Sequence, residues 1–139
     1  MKSDKYELSG YYVDDVIRKP IPCIKYSTNI DILMSLDIIK DKKYGVIILT
    51  NKSAEDEVDP ESLTLYFEKG NYLLMLLDYD DEGYIDVRTL YNPVAPHGIM
   101  QNILGEPYGA TTIVQDLEII KKCFIEFHQT GNVSKELMT

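Results

Sequence analysis

Between Ser62 and Tyr91 the chain turns twice at short polar junctions, and few folds accommodate that pattern. Ser62 to Glu68 alternates, with Leu63, Leu65 and Phe67 on one face and Thr64, Tyr66 and Glu68 on the other. That is the period-two signature of a half-buried strand. Lys69-Gly70-Asn71 makes a tight turn into the apolar run Tyr72 to Leu77. Asp80-Asp81-Glu82-Gly83 then turns again into Tyr84 to Tyr91. The pattern predicts a three-strand antiparallel meander. Its two ends must differ: the Lys69-Gly70-Asn71 turn lies at one. The segment entering the first strand and the turn leaving the second share the other.

Both segments at that shared end are acidic. Glu55 to Glu61 and Asp78 to Glu82 flank the meander's first two strands, and residues 53–87 hold eleven acidic side chains against one basic, Lys69. The whole chain carries a formal charge of -9, so the rest is close to neutral and the excess is local. Concentrated like charge repels itself, so the two runs read either as solvated loops or as a surface for a basic partner. The candidate contact surface is Glu55, Asp56, Glu57, Asp59, Asp80, Asp81 and Glu82, with Tyr79 and Tyr84 as aromatic anchors. One geometric expectation follows: the two acidic runs must be neighbours in space.

The remaining elements follow in chain order. Tyr6 to Val13 reads as a strand with Gly10 at a bulge, and Asp14 to Pro22 as a break, because Pro20 and Pro22 lack backbone donors. Cys23 to Tyr26 reads as a short edge strand. Thr28 or Asn29 is placed to cap a helix over Ile30 to Lys40, with Asp31 closing a capping box on Thr28. Tyr44 to Thr50 is an interior strand. Residues 92–110 carry three of the six prolines and three glycines between them in a stretch read as a long irregular loop, with a short strand near Tyr108. Thr111 or Thr112 is expected to cap a second helix, Thr112 pairing with Gln115. Its stripe would be Ile113, Leu117, Ile120, Phe124 and Phe127, with Glu118 and Lys122 as a surface pair and Gly131 as the left-handed stop. The order β-α-β-β-β-β-α predicts an α+β fold: one domain over residues 1–139, an antiparallel sheet with a central three-strand meander packed against two main helices.

Catalytic and cofactor chemistry finds little foothold. Asp78-x-Asp80-x-Glu82-Gly83 imitates the start of a calcium loop, but the twelfth position is Thr89 where a bidentate Glu is needed. His97 and His128 have no nucleophile or metal partner near them in sequence and read as surface or helix-end residues. Cys23 and Cys123, 100 positions apart, read as free thiols in apolar surroundings. There is no Gly-rich phosphate loop, nucleophile elbow or paired metal-ligand motif, so no catalytic residue, metal or cofactor is expected. A pI near 4.6 argues against nucleic acid as a ligand. No apolar run reaches the roughly 20 residues of a membrane helix, and the polar start lacks a secretory signal's apolar segment. A cytoplasmic protein with no membrane partner is expected. A small-ligand or metal-binding regulatory domain, using the acidic turn and the loop around His97, is the competing expectation.

Thr112 to Gly131, a capped helix ending Phe127-His128-Gln129-Thr130-Gly131, resembles the C-terminal signature of the Imm-one type immunity proteins of bacterial polymorphic-toxin systems, which include contact-dependent growth inhibition. Residues 63–87 are similar to that family's central meander. That family's Trp shortly after the glycine has no counterpart here, since the chain contains no Trp. The resemblance implies a cytosolic protein that binds a cognate toxin C-terminal domain and blocks it without turnover. Such toxins are often nucleases with a basic cleft, which agrees with the acidic excess.

Overall fold

Ser62–Glu68, Asn71–Tyr79 and Ile85–Thr89 form the predicted meander, as strands β4, β5 and β6 of a larger sheet. The computed structural model describes residues 6–25 and 27–139. Before the meander come β1 (Tyr6–Asp14), β2 (Ile17–Ile24), helix α1 (Asn29–Ile39) and β3 (Tyr44–Asn51). After it come β7 (Met100–Ile103), β8 (Glu106–Gly109), a 3-10 turn (Ala110–Thr112), β9 (Ile113–Val114) and helix α2 (Leu117–Thr130). The seven-stranded antiparallel sheet runs β2-β1-β3-β4-β5-β6, and β9 shares the outer side of β5 with β6. The fold is α+β.

Both helices cover one face of this sheet. Leu63, Leu65 and Phe67 of β4, Leu74 and Leu76 of β5, and Ile47 and Leu49 of β3 point there. They meet Ile32, Leu36 and Ile39 of α1 and Ile120, Phe124 and Phe127 of α2 in one core cluster. Each fully buried aliphatic or aromatic side chain contributes roughly 1.5–3 kcal/mol, so this layer holds the sheet and helices together. The opposite face is covered at one end only. There the β7–β8 hairpin and β9 bring Ile103 and Ile113 onto Leu73, with Tyr66, Met75 and Tyr108 beside them.

The predicted start of α1 is present in full. The Asp31 N–H donates to Thr28 Oγ1 at 3.3 Å, and the Thr28 N–H donates back to Asp31 Oδ2 at 2.9 Å. Lys121 Nζ reaches Asp37 Oδ1 at 2.7 Å and ties the two helices together. Gly131 ends α2 at φ 80, a left-handed position that glycine occupies without strain.

Several expectations are corrected. The break expected over Asp14 to Pro22 is instead most of β2, and the edge strand expected at Cys23 to Tyr26 is only this strand's end; Tyr26 lies outside the described residues. Proline is tolerated because β2 is an edge. The Val13 carbonyl accepts from the Lys43 N–H, so Val13 turns its backbone groups toward β3. Its partner Arg18, and by alternation Pro20, therefore face solvent with theirs. The long loop contains the β7–β8 hairpin. Helix α2 starts at Leu117 with Asp116 as its cap, accepting from the Glu118 N–H at 2.9 Å, and neither Thr111 nor Thr112 caps it. Ile113 and Val114 pair with Leu73 and Tyr72 instead, which moves Ile113 off the helical stripe to the opposite sheet face. Glu118 meets Lys121, not Lys122. His128 is buried, its Nε2 2.9 Å from the Ser27 carbonyl and its ring tilted against Tyr6 with centroids 4.9 Å apart. Cys123 is a core thiol pushed up to about 12 by burial, whereas Cys23 is exposed on β2.

Candidate partner-binding surface

The acidic loop between β3 and β4 is tied into a compact turn by its own backbone. Val58 and Asp59 N–H groups both donate to the Glu55 carbonyl, and the Glu55 N–H donates to Asp59 Oδ2 at 3.0 Å. The loop's exit is pinned to the sheet, where the Glu61 N–H donates to the Leu77 carbonyl at 2.8 Å. Glu57, at the crest, has φ 64.

The β5–β6 turn is organised by one carboxylate. Asp80 Oδ1 accepts from the Glu82 and Tyr84 N–H groups, each at 2.9 Å, and Gly83 supplies the left-handed residue at φ 87. Short acidic side chains that bond their own backbone are strong turn formers. The resemblance of this stretch to a calcium loop therefore has a different physical basis, and no cluster of three or more metal-ligating side chains occurs among the described residues.

The two acidic runs do meet. A Cβ placed on Gly83 would lie 3.6 Å from both Cβ and Oε2 of Glu57. Tyr79 bridges them from below, its hydroxyl donating to Glu61 Oε2 at 2.7 Å. That bond, with desolvation and the nearby charges of Glu61, Asp56 and Glu57, raises the phenol's pKa above its ordinary value. Glu55, Asp56, Glu57, Asp59, Asp80, Asp81 and Glu82 are exposed, and none makes an ion pair among the described residues.

The nine candidate residues nonetheless differ in what they offer. Asp59 and Asp80 use a carboxylate oxygen to hold their own turns, so their substitution would alter shape as well as charge. Tyr79 is half-buried with its hydroxyl engaged, and so supports the patch more than it projects from it. Asp56, Glu57, Asp81 and Glu82 carry free charge, and Tyr84 is 68% exposed. Sequence reasoning missed the apolar part of this end. Ile85 is 66% and Val87 46% exposed, on the sheet face without helices, and Val58 is exposed on the loop. Their β-branched sequence reads as core; only the missing layer above them makes them surface. It also overlooked that Asp78 is withdrawn from the patch, because its carboxylate pairs with the buried Arg88 at 3.1 Å.

Several clefts occur among the described residues. One of 290 Å³ runs between the acidic loop and the end of α2, lined in part by Asp59, Thr130 and Asn132. A wider one of 580 Å³ sits at the opposite end of the sheet, where Lys43 and Lys69 are balanced by Asp15 and Glu68. His97 is not near either; it meets the Tyr91 hydroxyl at 3.2 Å.

Residues 5–137 match the model of a family described as a family of unknown function, DUF6911. Comparison with curated proteins finds no match. Among solved structures the fold is similar to one described as a hypothetical protein from Neisseria gonorrhoeae, with a TM-score of 0.75 and 25% identity over 95% of this chain and 93% of the other.

Proposed function

We propose a function on physical grounds, because the chain belongs to DUF6911, a family whose function is unknown: it is an immunity protein that binds a cognate toxin domain and neutralises it by stoichiometric occlusion. The observation that carries this reading is the merging of two sequence-separated acidic runs into one unpaired surface at a single end of the sheet. Such a surface is suited to a basic cleft. Its field accelerates encounter with a cationic site, and its carboxylates compete there with phosphate. The rim of exposed apolar side chains at Tyr84, Ile85 and Val87 adds area that a charge-only surface lacks. The resemblance of the last helix and the meander to immunity proteins leads to the same class, in which the protein acts in the cytoplasm and performs no turnover.

The test is co-expression with the product of the adjacent upstream gene. Rescue of growth and co-purification as a stable complex are expected, and failure of both would remove the reading. A charge variant then probes the mechanism: Asp56→Asn, Asp81→Asn and Glu82→Gln together leave the two turn-forming carboxylates intact. Association should slow by at least tenfold at low salt and lose most of its salt dependence. Unchanged kinetics would reject the acidic surface as the contact.

A further inference from the structure

The two outer edges of the large sheet are treated differently. On β2, Pro20 and Pro22 stand along the edge and remove donors from it, a device that blocks further strand pairing. On β6 no such block exists. The Thr89 N–H donates to the Thr139 carbonyl at 3.3 Å and the Thr139 N–H returns to the Thr89 carbonyl at 3.0 Å, beside a Leu90–Met138 bridge. Thr89 therefore turns its backbone groups outward, and by alternation so do Val87 and Ile85. The inward register agrees, since the Asp80 N–H donates to the Tyr84 carbonyl. Outward groups of Ile85 and Val87 have no partner among the described residues, and their side chains are exposed.

We propose that this free edge of β6, Ile85 to Val87, is where the partner adds an extended strand of alternating apolar and Lys or Arg residues. Ile85 and Val87 lie on the sheet face without helices and would sit beside the apolar positions of such a strand. Asp86 is exposed on the other face, with Asp78 as its cross-strand neighbour and Asp80, Asp81 and Glu82 in the adjoining turn, and would meet the cations. The same charge disfavours a second copy of this chain in the register centred on Asp86. Antiparallel pairing of two β6 edges about Asp86 would set Asp86 against Asp86, and like charges directly opposite are destabilising. In that register the edge thus favours a basic strand over its own copy. This inference rests on the reading of the acidic end as the partner's surface, and adds the mode by which the backbone is recognised.

A synthetic peptide of seven alternating Lys and Val residues, Lys at both ends, is the probe, with a Lys–Gly analogue of equal charge as control. In nuclear magnetic resonance titrations of the full chain, the Lys–Val peptide should slow hydrogen exchange at the Ile85 and Val87 amides. Val87→Pro removes an outward donor without touching the β5–β6 ladder, and should weaken binding at least tenfold while the melting temperature holds. Asp86→Lys, which leaves the backbone edge intact, should weaken it to a similar degree. Equal binding of both peptides, or exchange at Ile85 and Val87 unaffected by peptide, overturns the proposal. The assay contains no toxin, so the two readings fail separately. A toxin that co-purifies with the Val87→Pro chain at full affinity sinks the edge alone. Strand pairing without any toxin binding sinks immunity alone.

Discussion

Arg88 is 4% exposed and holds the last segment of the chain to the sheet, and its replacement by Met is the sharpest test of how the acidic end is supported. Its Nη1 donates to Asp78 Oδ2 at 3.1 Å and to Asn132 Oδ1 at 2.9 Å. Nε and Nη2 donate to the Met138 carbonyl at 3.3 and 3.0 Å, and Nη2 also reaches the Val133 carbonyl. Met fills similar length and supplies no donor. Arg88→Met therefore leaves a largely buried carboxylate with only the Tyr79 N–H and no cation, and two carbonyls without their guanidinium donors. Breaking a buried pair from one side costs about 3–5 kcal/mol, a large share of the roughly 5–15 kcal/mol that holds a domain folded. At about 2–4 °C per kcal/mol for a chain of this size, the melting temperature should drop by roughly 10 °C. Urea unfolding followed by circular dichroism measures the loss directly. The double variant Arg88→Met with Asp78→Leu should recover a substantial part, because the stranded carboxylate is the largest single penalty. A loss under about 1 kcal/mol, or a double variant no better than the single, would refute the reasoning.

Two further outcomes follow from the site. Asp80→Asn keeps an oxygen for the Glu82 and Tyr84 amides and should leave stability within about 0.5 kcal/mol. Asp80→Ala removes it and should cost about 1 kcal/mol, as a lost helix cap does; equal urea midpoints for the two would show that the carboxylate does not organise the turn. Tyr6, Tyr66 and Tyr72 have phenol pKa values raised by burial, and Tyr79 by its bond to Glu61. A phenol whose folded pKa is raised binds its proton more tightly when folded. Its contribution is fully present below the unfolded value near 10 and is lost as pH rises through the folded value. Urea midpoints should therefore fall above about pH 10, and absorbance titration should show part of the tyrosine set ionising only on unfolding. A midpoint flat to pH 11.5 would contradict this.

The meander was legible because its information is local. Alternation across Ser62 to Glu68 names a strand and its buried face, and Lys69-Gly70-Asn71 and Asp80 to Gly83 have the residues tight turns require. Their connectivity alone put both acidic runs at one end. The Thr28–Asp31 capping box and the Gly131 stop were legible for the same reason, each closing within a few residues. Elements set by distant partners were misread. Ile113 has the right spacing to extend the helical stripe, yet pairing with Leu73, forty residues away in sequence, outweighs that periodicity and leaves Asp116 to start the helix. Pro20 and Pro22 read as breakers because sequence does not say that β2 is an edge.

The amino-acid sequence by itself determined an acidic α+β domain with a central meander, the polarity of that meander's two ends, and a concentration of charge at one of them. Only the tertiary structure decided what covers each surface. Burial is a property of layers. Ile85 and Val87 are as apolar as the core strands but have no helix above them, while the polar guanidinium of Arg88 lies beneath the chain's last segment. Backbone satisfaction is equally non-local: whether a strand's outer groups are paired, blocked by proline or free depends on its place in the sheet. That place is fixed by contacts from residues far away in the chain, which local periodicity does not encode.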